Sequence, residues 1–429
     1  VLNDTHDPAL RSWAPGAHAP GTDFPIQNLP LGVFRRRGSS EPWRGGIAIG
    51  EAILDLQRVA RAGLLDGAAG DVARLTAGPT LNALMAAGPE AWQALRRGAS
   101  KLLRGKAPAH SAALDCLVLQ TQAEMALPAT IGDYTDFFTS EAHMLNAGRI
   151  FQPGAPPLPN FKWLPIAYHG RASTVGVSPA QVRRPSGQAR PPGQAAPHYG
   201  PTERLDYELE LGAFIGPGNP DGTPIAVADA HRHLFGLCLL NDWSARDIQA
   251  WEAMPLGPFL AKNFATTVSP WIVTMEALAP FRLSVPRRED DPQPLPHLLA
   301  PDASHFDITL EAWLQRSQCV PQRLSRTNYR HAYWSLAQMV AHHTSNGCIL
   351  RPGDLLGTGT QSGPGEGEQG CLLELTRHAT QPLALDGGDA IGYLQDGDSV
   401  ILRAACEAPG RARIGFGACR GTVMPAVAP

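Results

Sequence analysis

Two glutamates separated by a single residue, Glu208 and Glu210, stand in the stretch LDYELEL. If Leu205–Leu211 is extended, alternate side chains share a face, so the two carboxylates lie side by side while Leu205, Tyr207, Leu209 and Leu211 take the other. Neighbouring anions on a strand of this apolar content repel unless a cation or basic partners sit between them. A metal ion is therefore the first expectation. The bland alternative is a half-exposed strand with its polar face in water.

Asp242 follows the apolar run Leu234–Leu240 and opens NDWSARDIQAWE. The spacing predicts a helix carrying Asp242, Arg246 and Gln249 at i, i+4 and i+7 on one face. An exposed Asp242–Arg246 ion pair would satisfy the same pattern. Asp136, in DYTDFFTSEAH, lies seven residues before His143. In a helix both would point the same way, about 10 Å apart along the axis, which makes Asp136 a ligand and His143 a base beside it.

Asp136, Glu208, Glu210 and Asp242 together carry four negative charges, and one divalent ion cancels only two. Arg246 and Lys262 are expected nearby to offset the rest. Lys262 stands out because the chain has four lysines against 32 arginines, and arginine does not supply a compact ammonium. Lys101 and Lys106 read as solvated surface. An all-oxygen ligand set suits Mg²⁺ or Ca²⁺ rather than Zn²⁺. His143, with an ordinary pKa near neutrality, is then the base, and Arg246, Gln249 and Lys262 are donors to a developing oxyanion. His169, His342 and His343 are assigned no ligand role.

The elements that must position these groups are less sharply written. The first part of the chain combines short strands within Gly45–Leu56 with amphipathic helices over Leu56–Leu64 and Pro89–Leu103. A boundary near Leu127–Pro128 divides the chain into 1–127 and 128–429. Beyond it, short strands, Gly/Pro turns and long loops suit a mixed β structure. The Pro-rich Gln152–Pro201 reads as a covering segment, and Ser284–Ser304 as a solvated excursion. A net charge of −3 gives no support for nucleic-acid binding, and Arg35–Arg37 reads as a solvated turn. No apolar stretch approaches a membrane span and no signal-peptide pattern is present. Seven cysteines without a CxxC pair read as reduced thiols of a cytoplasmic protein, Cys238 being core.

Many long segments occur in a characteristic order: DFPIQNLPLGVF, ATIGDYTDFF, LPIAYHGRAS, LDYELELGAFIGPGN, NGCILRPGDLLGTGT and RIGFGACRGTV. In these the chain resembles the fumarylacetoacetase family over nearly its whole length. The resemblance implies a mainly β fold with some α, built from a small SH3-like N-terminal barrel and a larger β-roll domain, usually a homodimer. It implies hydrolysis of a C–C bond in a β-diketo acid, with fumarylacetoacetate as default substrate in tyrosine and phenylalanine catabolism. Asp136, Glu208, Glu210 and Asp242 match the metal ligands, and Lys262 and Thr266 match positions associated with a second cation. Glu374, by itself an outward residue on a strand, matches the position that orients His143. Tyr168, Arg246, Gln249 and Thr360 match substrate contacts.

Three pocket positions, and a fourth beside Thr266, depart from the family. Phe138 and Ala253 stand where it has tyrosines, and Gln152 where it has an arginine, all in the substrate pocket. Ala265 replaces a glycine beside Thr266. These leave open an enzyme of the same family with a changed substrate or reaction, such as decarboxylation, isomerisation or a different cleavage, or a non-catalytic relative.

Overall fold

The computed structural model describes residues 2–107, 111–300, 304–317 and 319–427. The fold is mostly β with some helices. Near the N-terminus, Leu31–Arg36, Arg44–Ile49, Ala52–Asp55, Leu117–Leu119 and Ala123–Ala126 form an antiparallel five-stranded sheet in which Leu31–Arg36 pairs with both Arg44–Ile49 and Ala123–Ala126. Arg35 and Arg36 therefore complete a strand, and Arg35 pairs with Glu124 across the sheet. The expected turn is confined to Arg37 and Gly38. Between strands the helix Pro89–Leu103 begins on its proline, whose fixed φ suits a first helical position, and buries Leu95, Ala99, Leu102 and Leu103. The first predicted helix is shorter than read, Leu56–Arg61, capped by the Asp55 carboxylate on the Arg58 amide.

Two large sheets build most of the remainder. One runs in the order Ile166–His169, Tyr134–Phe138, Leu355–Gly357, Leu209–Ile215, Leu234–Asp242, Thr266–Val268 and Val175–Val177. The other contains Gln322–Asn328, Thr309–Arg316, Asp398–Cys406, Ile414–Met424 and Ala180–Arg183. Their facing surfaces enclose Leu209, Leu211, Leu237, Leu239, Leu310 and Leu402 in one core. Stacked sheets with inward-facing alternate residues give such a layer.

Several local expectations are corrected. Leu205–Leu211 is not one strand: Leu205–Asp206 pairs with Ser244–Ala245, and Leu209–Ile215 joins the large sheet. Asp242 ends the strand Leu234–Asp242, and the helix starts only at Arg246. The run is laddered on both sides, to Leu209–Ile215 and to Thr266–Val268, so the chain is still extended at Asp242. Asp136 likewise belongs to the strand Tyr134–Phe138, and only His143 is helical, in Glu141–Phe151. β-Branched and aromatic residues on either side of Asp136 favour that strand. Glu374 lies on a helical turn, Leu372–Leu375, rather than a strand. Gln152–Pro201 contains five short strands, three of them in the two large sheets, so it is more than a cover. Ser284–Ser304 is also anchored: Leu298 is buried beside Trp334, and Asp291 binds Lys162. Residues 301–303 of that stretch lie outside the described residues.

Candidate active site and metal centre

Register along the large sheet gathers the four carboxylates. Asp136 lies opposite Gly357 on one neighbour and Tyr168 on the other. Gly357 lies near Leu209–Ile215, pairing with Gly212, and Asp242 is opposite Thr266. Ligand oxygens of Asp136, Glu208, Glu210 and Asp242 consequently fall within 4.8 Å of one another, and all four residues are buried. The glycines make room for them. A Cβ on Gly357 would meet Asp136 Oδ1 at 2.6 Å and Glu210 Oε2 at 3.1 Å. Gly359, at φ +73°, gives its amide to Glu210 Oε2 at 3.0 Å, a left-handed conformation that side chains resist.

The cluster is short of positive charge. Lys262 Nζ donates to Glu208 Oε2 at 2.5 Å and Asp242 Oδ2 at 2.8 Å, while Arg246 Nη1 donates to Glu208 Oε1 at 2.7 Å. Burial opposes ionisation of Glu208, but Lys262 and Arg246 outweigh it and hold the carboxyl well below the usual range. Asp136 and Glu210 are pushed the other way, by burial first and then by the neighbouring carboxylates. Asp136 Oδ1 and Glu210 Oε1 are buried without a hydrogen-bond partner. Two unsatisfied hard oxygens in an all-carboxylate set fit a divalent cation. Thr266 Oγ1 reaches Asp242 Oδ1 at 3.3 Å, and Tyr168 Oη donates to Asp242 Oδ2 at 2.8 Å. A cavity of about 230 Å³ opens beside them, lined by Tyr134, Tyr168, Asp242, Phe259, Lys262 and Thr266.

His143 sits on the first turn of its helix, where Ser140 caps the chain by accepting the His143 amide at 3.2 Å. Its Nδ1 meets Glu374 Oε1 at 2.6 Å. The carboxylate has a full set of donors: Ser362 Oγ at 2.8 Å, Asn146 Nδ2 at 2.7 Å and the Cys371 thiol at 3.3 Å. Burial works against its charge, but His143 and the donors prevail and hold its carboxyl below the ordinary value. Fixing Nδ1 in this way leaves Nε2 as the reactive nitrogen. Phe138 packs edge-on against the imidazole, ring centroids 5.2 Å apart, and also meets Phe161.

Arg246 and Gln249 are joined, Nη1 donating to Oε1 at 3.1 Å, and Arg246 Nη2 is buried with no partner. Thr360 Oγ1 is likewise buried and unpartnered. Gln152 is exposed at the end of the His143 helix, and Ala253 caps the helix Arg246–Glu252. His169, His342 and His343 lie outside the carboxylate cluster. Sequence reasoning missed Asp206, Asn146 and Ser362. Asp206 begins the same alternation as Glu208 and Glu210, and Asn146 lies at i+3 from His143, so both carried a readable signal. Ser362, in a loop, did not.

Known proteins resemble this chain over nearly all of its length. The description Fumarylacetoacetase N-terminal matches residues 27–128, and Fumarylacetoacetate (FAA) hydrolase C-terminal matches residues 134–424. Fumarylacetoacetase of Oryza sativa subsp. japonica is 49% identical over 417 residues, covering 95% of this chain and 96% of the relative. Fumarylacetoacetase of Homo sapiens is 46% identical over 419 residues, covering 96% and 98%. Among solved structures, fumarylacetoacetate hydrolase from the psychrophilic Exiguobacterium antarcticum superposes with a TM-score of 0.52 at 16% identity, covering 92% of this chain and 99% of that one, a likeness of fold. With both family models matched and identities this high over nearly all of its length, the chain belongs to the fumarylacetoacetase family.

Proposed function

We propose that this protein is a metal-dependent hydrolase that cleaves a C–C bond of a β-diketo acid, with fumarylacetoacetate as substrate and fumarate and acetoacetate as products. The observation that carries the reading is the buried four-carboxylate cluster, with Lys262 and Arg246 bonded to it, in the same site as a His143–Glu374 pair. Relatives at 46–49% identity named fumarylacetoacetase support the substrate.

Asp136, Glu208, Glu210 and Asp242 would hold Mg²⁺ or Ca²⁺, which when bound supplies Lewis-acid polarisation of the diketo oxygens. His143 Nε2 takes a proton from water as its oxygen adds to the carbonyl carbon next to the alkene. Glu374 holds Nδ1–H and stabilises the imidazolium. The unpartnered Nη2 of Arg246, with Lys262 and Gln249, donates to the developing oxyanion. The C–C bond then breaks, its electron pair stays with the departing methylene carbon, and the imidazolium returns the proton that makes it a methyl group. Tyr168 and Thr360 are read as substrate contacts, and Lys262 and Thr266 as the second-cation positions.

A second reading, a family member with an altered substrate, is favoured by one observation. The side chain packed edge-on against the base is Phe138, itself against Phe161, and it brings no hydroxyl of its own. We also propose a homodimer, for which the exposed Met254, Leu256 and Phe259 supply apolar surface. A cytoplasmic setting suits the seven free cysteines, and no helix among the described residues is long and apolar enough to cross a membrane. Product identification by NMR, with fumarylacetoacetate and with β-diketo acids lacking the distal carboxylate, tests the two readings. Fumarate and acetoacetate support the first; turnover of the monocarboxylate analogues alone supports the second.

A further inference from the structure

Asp206 is not one of the four clustered carboxylates, yet it is completely buried and every acceptor site it has is used. Oδ1 accepts from the amides of Tyr207 and Leu372, both at 2.8 Å. Oδ2 accepts from the Leu373 amide and from Arg246 Nε, both at 2.9 Å. Asp206 therefore touches two elements far apart in sequence, the turn Leu372–Leu375 that carries Glu374 and the arginine that binds Glu208.

That turn has little to hold it in place by itself. A single helical turn is unstable alone, and its first amides have no partner within it. Cys371, at the cap position, makes no side-chain cap hydrogen bond. The Asp206 carboxylate supplies the missing acceptors from outside the turn. Glu374 follows Leu372 by two residues, so a shift of the turn moves the carboxylate that grips His143.

We infer that Asp206 is a positioning residue: by bonding the Leu372 and Leu373 amides and Arg246 at once, it fixes the His143–Glu374 pair relative to the oxyanion donor and carboxylates across the site. The chain of contacts is continuous, running from the Glu374 turn through Asp206 to Arg246, Glu208, Lys262 and Asp242. Asp206 itself touches no reacting atom in this scheme. The inference rests on the proposed hydrolysis for its kinetic part only.

The test is Asp206→Asn in the full chain loaded with metal, since the near-isosteric amide keeps one acceptor and loses the charge that faces Arg246. Two readouts go together. The first is the downfield proton resonance of the His143–Glu374 hydrogen bond, identified by its disappearance in Glu374→Gln, which needs no substrate. The second is steady-state kinetics, with an expected loss of about 10- to 100-fold in kcat and little change in KM, the size usual for a residue that orients a functional one. Because one route of Asp206 runs through the Glu374 turn, the losses of Asp206→Asn and Glu374→Gln are expected to be less than multiplicative in the double variant. A resonance left in place, or losses that multiply in the double variant, would reduce Asp206 to a stabilising residue and overturn the inference. If the parent chain proves inactive on fumarylacetoacetate, the hydrolysis reading fails, while the resonance still decides the role of Asp206. Should Asp206→Asn not fold, Leu372→Pro removes one amide donor at a first helical position, where proline is tolerated. Cys371 already has the extended backbone, φ −154° and ψ 162°, that a residue before proline requires. The same shift of the resonance is expected there.

Discussion

Replacing Glu374 by glutamine removes one charge from a site where all neighbours are donors. His143 Nδ1, Ser362 Oγ and the Cys371 thiol converge on Oε1, and Asn146 Nδ2 on Oε2. A glutamine oxygen can take the first group, but its amide NH₂ then faces Asn146. The conflict is relieved if Asn146 turns its amide over, which breaks only a 3.4 Å contact to Arg149 on the exposed side. Folding should therefore survive, and the catalytic deficit should come from the lost charge opposite the imidazolium. A hydrogen bond to a charged group contributes about 1.5–3 kcal/mol, which corresponds to roughly 10- to 150-fold in kcat. KM should stay close to the parent value, because the Glu374 carboxylate bonds His143, Asn146, Ser362 and Cys371 and none of the groups proposed to bind substrate. The assay is steady-state hydrolysis of fumarylacetoacetate by the metal-saturated variant. Linkage provides a second check. The folded pKa of Glu374 is depressed, so its contribution to stability is present above the unfolded value of about 4.3 and is lost as pH falls through the folded one. The stability gap between parent and Glu374→Gln should accordingly narrow on acidification below about pH 4.3. A variant with parental kcat would refute the claim that Glu374 works through His143.

His143→Ala should lose about two to four orders of magnitude in turnover while keeping parental metal stoichiometry, measured by elemental analysis. Asp242→Ala should lose stoichiometric metal binding; calorimetric titration giving an unchanged site would remove Asp242 from the ligand set. Asp136 and Glu210 have raised folded pKa values in the metal-free protein, so its stability should fall as pH rises from about 4 through those values. Metal should restore it, and the thermal shift on adding Mg²⁺ or Ca²⁺ should be larger at pH 8 than at pH 5; equal shifts would mean that the ion binds elsewhere. Finally, Phe138→Tyr, Gln152→Arg and Ala253→Tyr together should raise kcat/KM for fumarylacetoacetate if recognition has changed in this chain, and a triple variant no better than the parent would mark the three residues as tolerated drift.

How much of this is legible in the sequence depends on the range of the interaction. The Glu208–Glu210 pair is a local feature whose period of two is visible, although the strand of the large sheet starts only at Leu209. The helix Pro89–Leu103 is visible too, through its apolar spacing and N-terminal proline. Asp242 reads as helical because i, i+4 and i+7 occur by chance across the end of a strand and the start of a helix. What extends the chain at Asp242 is a pair of ladders, to Leu209–Ile215 on one side and Thr266–Val268 on the other, neither of them local. The same holds for Asp136, whose strand is fixed by a distant parallel partner, Leu355–Gly357. Glu374 emerges only through resemblance, since four residues of helix leave no period to read. Asp206 is within reach, one step back along the alternation of Glu208 and Glu210, but its partners Leu372 and Leu373 are not predictable from local sequence.

The buried carboxylates, the base and the donors are expected to act as one hydrolytic centre. The direct measurement is kcat/KM for fumarylacetoacetate on protein stripped with chelator and on the same protein reconstituted with Mg²⁺ or Ca²⁺, with both products quantified. Reconstituted protein is expected to reach about 10⁴ M⁻¹s⁻¹ or more, releasing fumarate and acetoacetate in equal amounts. Stripped protein should be inactive and recover on adding the ion. Equal activity with and without the metal, or consumption of substrate without both products, would contradict it.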